Sequence, residues 1–329
     1  MDLGTENGFI TSIELSTNLP SDLFNPEEIE STKNFLKNCG IELLDIPDEE
    51  KTKNLEIASH YSQQPEEKII TVSRIKESQC PFRYYKSYIE DPKQEPCFES
   101  IESGIGKFFH SYLESHFRLI IAQGERVSFE DEIDVDDLVR SFKMSFIWEG
   151  RLRDPYRIVR RGYSLGDFIE RLERVGMNFN EFFYETLVEH EVLGVEGQLQ
   201  IRAKDLYIRG KHDLLTKDDN GTIYLWDWKS GRMPKPDYFI DFQLQKIQLG
   251  IYAIWTRYKF KLDSVKATAV FLRDDVQKLS ETFHPDIEEE VLLYMERWRS
   301  RLNSFERYPP IENNLCSWCG WKPVCPAFR

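Results

Sequence analysis

The chain has 329 residues, 40% hydrophobic and 30% charged, with a formal net charge of −14. That is an ordinary globular composition, long enough to bury a sizeable core as one large domain or two modest ones. It excludes nucleic-acid binding by bulk positive charge, and no apolar run is long enough to span a bilayer.

Residues 1–65 are acidic and rich in Glu, Asn and Ser. Residues 1–60 alone hold 13 acidic and 4 basic side chains, a net of −9. More than half of the imbalance therefore sits in an N-terminal segment without a catalytic motif, set apart from residues 66–329. The start, Met1-Asp2-Leu3-Gly4, lacks the basic and apolar regions of a signal peptide, so a cytoplasmic location without membrane partners is expected. The stretch from Pro26-Glu27-Glu28-Ile29-Glu30 reads as a helix stopped by Gly40. Ile69–Ser73 reads as a short strand or an extended lead-in, and residues 104–122 as a helix following Gly104. Residues 130–186 are mostly helical in pattern, with Phe179, Phe182 and Phe183 suiting a buried stripe. Arg151, Arg153, Arg157, Arg160, Arg161, Arg171 and Arg174 fall close together, against four acids in residues 151–174. They form either a local basic surface or a solvated face with scattered arginines.

The texture then changes. Residues 187–230 are rich in β-branched and aromatic residues with alternation and turn signals. Residues 240–260 return to helix, Val265–Arg273 and Lys278–Phe283 read as strands, and residues 286–306 as an amphipathic helix. This order predicts an α/β core with a mixed sheet.

Two of these strands carry the chemistry. One is Asp205–Leu215, containing Gly210-Lys211-His212-Asp213. The other is Thr222–Lys229, containing Trp226-Asp227-Trp228-Lys229, and Asp218-Asp219-Asn220-Gly221 turns between them. Alternation puts Asp227 and Lys229 on one face. A two-residue Asn220-Gly221 loop sets Asp213 and Asp227 on opposite faces. A three-residue loop, with Gly221 in the left-handed position, makes them oppose each other. Paired carboxylates beside a lysine suit phosphodiester hydrolysis, which needs a hard cation such as Mg²⁺ or Mn²⁺ and a group to orient or deprotonate water. An exposed Asp–Lys hairpin is the bland alternative, but a carboxylate between two tryptophans in a strand seldom lacks a partner or a metal. His110 shares a helix face with Leu113 and Phe117, and so does Gln245 with Gln248 and Tyr252, at i, i+3 and i+7. Taken alone, each group reads as core or helix edge.

The tail Cys316-Ser317-Trp318-Cys319-Gly320-Trp321-Lys322-Pro323-Val324-Cys325 has the spacing C-x2-C-x5-C. Three thiolates want a fourth, and Cys80 in Gln79-Cys80-Pro81-Phe82 is the best candidate. Cys39 and Cys97 read as plain thiols. Four cysteines without histidine suit Zn²⁺ or a [4Fe–4S] cluster, and spacing leaves the two open.

Together, His110, Asp213, Asp227-Trp228-Lys229 and Gln248-Leu249-Gly250-Ile251-Tyr252 resemble the RecB-like branch of the PD-(D/E)XK nucleases. That branch carries a helix His, a strand Asp, a D/E-x-K strand and a Q-x3-Y helix. The cysteine pattern resembles its iron–sulfur subset, which includes the CRISPR adaptation nucleases, the AddB nuclease domain and the exonuclease V-like enzymes. The resemblance runs from about Ile69 to Phe328. It implies a restriction-endonuclease-like mixed sheet flanked by helices, with a helical insertion at 118–186 and the cysteine cluster at 316–325. It also implies that His110, Asp213, Asp227 and the Trp228 carbonyl bind Mn²⁺ or Mg²⁺, that Lys229 assists water, and that Gln248 and Tyr252 support Lys229 or the phosphate. Cys80, Cys316, Cys319 and Cys325 would hold a structural [4Fe–4S] cluster. The substrate implied is DNA with single-stranded ends, cut as by an exonuclease in repair, recombination or defence. No G-x4-G-K-[ST] motif occurs, so unwinding would fall to a helicase partner. The rival reading is a non-catalytic DNA-binding or assembly subunit of a helicase–nuclease complex.

Overall fold

The computed structural model of the chain describes residues 69–90, 99–124, 126–148, 158–159, 164–203, 206–235, 239–313, 316–317 and 319–328, with 9–11, 30, 33–34, 42–44 and 55–57 from the first 68. The helix expected after Pro26 lies almost wholly outside these residues, as do Cys39, Cys97 and the arginines between 151 and 161.

The frame is one mixed sheet. Its strands are β1 (Leu55–Ile57), β2 (Ile69–Ile70), β3 (Glu191–Ala203), β4 (Leu206–Lys217), β5 (Ile223–Lys229), β6 (Val265–Phe271) and β7 (Gln277–Phe283). They lie in the order β7-β6-β5-β4-β3-β1, with β2 alongside β4. β5 and β6 are parallel, while β3, β4 and β5 form an antiparallel meander. Parallel neighbours need a crossover, supplied by helix α6 (Phe239–Phe260).

The other helices are α1 (Val72–Glu77), α2 (Pro81–Tyr85), α3 (Ile101–Gln123), α4 (Val135–Trp148), α5 (Leu165–Phe182) and α7 (Pro285–Asn303). Two differences from the expected elements have local causes. The strand starting at Ile69 is only two residues long, because Thr71 caps a helix with its Oγ1 accepting the Arg74 N–H at 3.1 Å. The helix expected from Gly104 begins at Ile101, so Gly104 lies inside it.

The sheet divides the apolar core in two. Leu215, Leu225, Ala267 and Ala269 pack with α6 and α7. Leu214, Trp226, Trp228 and Val270 pack with α3, α4 and α5. Phe179, Phe182 and Phe183 are fully buried, as their spacing predicts. Phe182 meets Trp226 and Trp228 edge-on at 5.2 and 5.5 Å, and Phe179 meets Trp228 at 5.4 Å. Each buried aromatic contributes about 1.5–3 kcal/mol from area alone, and the edge-to-face contacts add to that. This packing holds β5 with its tryptophans towards α5, which leaves Asp227 and Lys229 for the opposite face. Among the described residues no helix is long and apolar enough to cross a membrane.

Candidate functional site

The β4–β5 turn sets the register of the site. Asp218 N–H donates to Thr222 O at 3.1 Å, and Gly221 N–H donates to Asp218 O at 3.0 Å, closing a three-residue loop. Gly221 takes φ +80°, a conformation that a side chain would oppose. The ladder runs from Lys217–Ile223 to Leu214–Trp226, one step short of matching Asp213 with Asp227. There the pairing changes character: Asp213 Oδ2 accepts the backbone N–H of Trp228 at 2.6 Å. The other oxygen, Oδ1, lies 3.3 Å from His110 Nδ1 on α3.

A third group, one that motif and spacing did not single out, completes this corner. Glu196 Oε1 lies 3.5 Å from the same His110 Nδ1. His110, Glu196 and Asp213 each offer a ligand atom within 4.8 Å of the others. Glu196 interrupts β3 with a left-handed φ of 49°, which is strained for a residue with a side chain. Lys211, which also lies 3.7 Å from Glu114, is ion-paired to its carboxylate. The available signal was an acid between two strand glycines, Gly194 and Gly197, a pattern that marks bulges.

The second half of the site lies across β5. Lys229 Nζ is 2.7 Å from Asp227 Oδ2. Gln248 of α6 donates from Nε2 to Asp227 Oδ1 at 3.1 Å and to the Tyr252 hydroxyl at 2.8 Å, and its Oε1 accepts from Lys229 at 3.4 Å. The Tyr252 ring packs on the bare backbone of Gly210, where a Cβ would stand 2.8 Å from Cε1. The structure thus brings together His110, Asp213, Asp227, Lys229, Gln248 and Tyr252. Gln245 joins no contact of the site, and its Oε1 is buried without a hydrogen-bond partner among the described residues. Trp228 enters through its N–H, with its ring buried among α5 phenylalanines.

Three carboxylates, Glu196, Asp213 and Asp227, face three basic groups, His110, Lys211 and Lys229. Burial favours a neutral His110, but Asp213 and Glu196 outweigh it and hold its pKa up at about 10. Burial pushes Asp227 up to about 6, opposed by Lys229 and reinforced by Asp213. Burial would lower Lys229, yet Asp227 and Asp213 keep it above its ordinary value, so it stands as an ammonium. Burial drives Tyr252 well above 10, keeping the phenol protonated. Asp227 Oδ2 is buried and faces the Lys229 ammonium. An imidazole and two carboxylates whose ligand atoms lie within 4.8 Å of one another fit a divalent cation of the Mg²⁺ or Mn²⁺ kind.

The cysteines meet in a separate place, beside α1 and α2. Cys80, Cys316, Cys319 and Cys325 line one cleft open to solvent, together with Lys76, Glu77, Arg83, Glu312 and Lys322. All four are free thiols. Ile311 N–H points at Cys80 Sγ at 3.5 Å and Asn313 N–H at Cys316 Sγ at 3.3 Å. Tyr85 stacks on Tyr308 at 4.8 Å, and Trp321 Nε1 donates to Ser87 at 3.1 Å, so the tail is fastened to the α1–α2 region. No three of the sulfurs approach within 4.8 Å of one another among the described residues. A single tetrahedral zinc with ~2.3 Å bonds would draw its sulfurs to about 3.8 Å from each other.

Comparison with known proteins follows the same geometry. The family profile of the PD-(D/E)XK nuclease superfamily matches residues 70–326. A second profile, Sigma-70 factor region 1.1, matches residues 1–69, less than half of the chain. Among curated proteins, one of the subunits of the ATP-dependent helicase/deoxyribonuclease from Clostridium tetani is 25% identical over 209 residues, covering 55% of this chain. The chain spans only 16% of the length of that relative. Among solved structures, a candidate exonuclease from Eubacterium rectale is 14% identical, with 79% of this chain and 86% of that chain covered and a TM-score of 0.39.

Proposed function

The chain belongs to the PD-(D/E)XK nuclease superfamily, and from that premise we propose that it is a divalent-metal-dependent deoxyribonuclease, acting as an exonuclease on single-stranded DNA ends. One observation carries the reading: Asp227, Lys229, Gln248 and Tyr252 form one hydrogen-bonded unit beside the His110–Asp213–Glu196 corner. His110, Asp213 and Asp227 would hold the cation, with the Trp228 carbonyl and Glu196 completing the set. When bound, Mg²⁺ or Mn²⁺ supplies Lewis-acid polarisation of the phosphate and acidifies the attacking water.

The remaining work falls to the protein. Lys229, as an ammonium, steadies the charge that develops on phosphate and orients the attacking water. Gln248 fixes both Lys229 and Asp227, so neither has to reorganise during the reaction. Tyr252 holds Gln248 from the far side and keeps its proton throughout.

For the cysteine cavity we favour a [4Fe–4S] cluster over Zn²⁺. That no three of the four sulfurs lie within 4.8 Å of one another supports a polynuclear group, whose thiolates stand further apart than those on a single zinc. Its role would be to fasten the tail to α1 and α2. The domain we assign to the nuclease is 66–329, with residues 1–65 as a separate acidic segment. The name of the Clostridium tetani relative, a helicase/deoxyribonuclease subunit, supports a helicase partner.

The test uses protein purified without oxygen and end-labelled single-stranded, duplex and circular single-stranded DNA, in Mn²⁺, Mg²⁺ or EDTA. Cleavage of linear single strands that needs the metal and vanishes in Lys229→Ala is expected. Circular substrate cut as readily would replace exo- with endonuclease action. DNA bound but uncut on every substrate would transfer the reading to a non-catalytic DNA-binding protein.

A further inference from the structure

Away from the cation corner, four arginines from three segments converge where β5 and β6 leave the sheet. β6 runs alongside β5 with Phe271 opposite Lys229, and Leu272 N–H donates to Lys229 O at 2.9 Å. The chain after Lys229 therefore leads to Arg232, and the chain after Phe271 leads to Arg273, at one end of the sheet. Asp274 bridges them, 2.5 Å from Arg232 Nε and 3.9 Å from Arg273 Nε. Helix α5 adds the others. Arg171, Arg174 and Asn178 share one face by spacing, and Asn178 Nδ2 fastens that face to Leu272 O at 2.8 Å.

Helix α3 connects this cluster to the candidate site. Glu102, Gly106 and His110 follow one another at successive turns of one face. Glu102 lies 3.4 Å from Arg171. The backbone at Gly106 abuts Ser230, whose Oγ would lie 3.2 Å from an added Cβ. His110 reaches Asp213. From Glu102 to His110 is ~12 Å along the helix, a few nucleotides of a stacked strand at ~3.4 Å each.

Positive charge at this end of the sheet is only partly offset by carboxylates. Arg273 is three-quarters covered, and its one carboxylate neighbour at salt-bridge range, Asp274, stands beyond hydrogen-bond distance among the described residues. Burial, and then the charges of Arg171 and Arg232, lower its pKa. Arg174 meets Glu170 at 3.4 Å, and Arg174 and Arg232 expose 52% and 67% of their side chains. With more than half of each side chain in solvent, Arg174 and Arg232 can turn an edge of the planar guanidinium to a phosphate.

We infer that Arg174, Arg232 and Arg273, braced by the partly buried Arg171–Glu102 pair, form a phosphate-binding ledge that grips the DNA strand a few nucleotides from the scissile bond. This rests on the nuclease reading for the identity of the polyanion. It gives a chain of net charge −14 a local group of cations for a nucleic-acid substrate.

Binding of a fluorescein-labelled single-stranded 20-mer would be followed by anisotropy in EDTA, against salt concentration. Each phosphate contact contributes ~0.7 to the salt slope. Arg232→Gln/Arg273→Gln should lower the slope by about 1.4 and weaken binding ~25-fold at 0.1 M salt. The single changes Arg174→Gln and Arg232→Gln, at exposed side chains, should each lower the slope by ~0.7 with an unchanged melting temperature. Arg140→Gln, on exposed α4, should match wild type. Arginine variants with wild-type affinity and slope would overturn the ledge, even if wild type cleaves. Arginine-dependent binding by a wild-type protein that does not cleave would uphold the ledge and remove the nuclease reading.

Discussion

A divalent cation entering between His110, Asp213 and Glu196 has to displace a proton. The two carboxylates hold the imidazole protonated up to about pH 10 in the metal-free protein, and a protonated ring has no lone pair to offer. Between pH 7 and 9, binding of Mn²⁺ should therefore release one proton per ion, and log affinity should rise by one for each pH unit. At pH 7 the proton withholds on the order of 4 kcal/mol of affinity, three units at ~1.36 kcal/mol each. Below about pH 6 the slope should steepen, because Asp227 then carries a proton as well. The metal-free fold shows the converse linkage. The folded pKa of His110 lies above its ordinary 6.5. Its stabilisation is thus complete below pH 6.5 and is lost as pH rises through about 10. Titration calorimetry of Mn²⁺ in two buffers of different ionisation enthalpy counts the released protons directly. His110→Ala should bind weakly, with no slope between pH 7 and 9. Tight binding by wild type with no proton released at pH 7.5 would refute the argument that His110 is a protonated ligand in waiting.

Three further outcomes follow from the same geometry. Glu196→Gln should weaken Mn²⁺ binding about tenfold, the loss of one charged ligand at roughly 1.4 kcal/mol, with an unchanged circular-dichroism spectrum; unaltered binding by electron paramagnetic resonance would confine Glu196 to bracing Lys211. Gly210→Ala drives a Cβ against the Tyr252 ring, so it should cost about 1–3 kcal/mol in urea unfolding and slow cleavage by loosening Gln248; full activity would show that Tyr252 is not needed to hold Gln248. Cys80→Ser should lower the melting temperature and bound iron together, from about four irons per chain in the wild type; zinc instead of iron in anaerobically purified wild type would reassign the cavity.

Much of this protein is written in short-range pattern. The aromatic stripe of α5, the β4–β5 turn with its left-handed Gly221 and the alternation that pairs Asp227 with Lys229 each depend on neighbours within a few residues. Period and turn chemistry therefore reveal them. The grouping of Gln248 with Tyr252 is likewise a matter of helical spacing. Other features come from contacts between distant segments. Glu196 becomes a candidate ligand only because β3 sets it, with a left-handed φ of 49°, beside Asp213 and His110. Nothing in the spacing of His110 specifies that α3 will carry it to β4 while Glu102, two turns away, meets Arg171. The arginine ledge needs β5, β6 and α5 to end in one place, and the cysteine cavity needs Cys80 to meet a tail more than two hundred residues later. Local sequence sets which backbone conformations and faces are favoured. Which faces meet is settled by burying two apolar surfaces against one sheet, a collective free energy that no single segment contains.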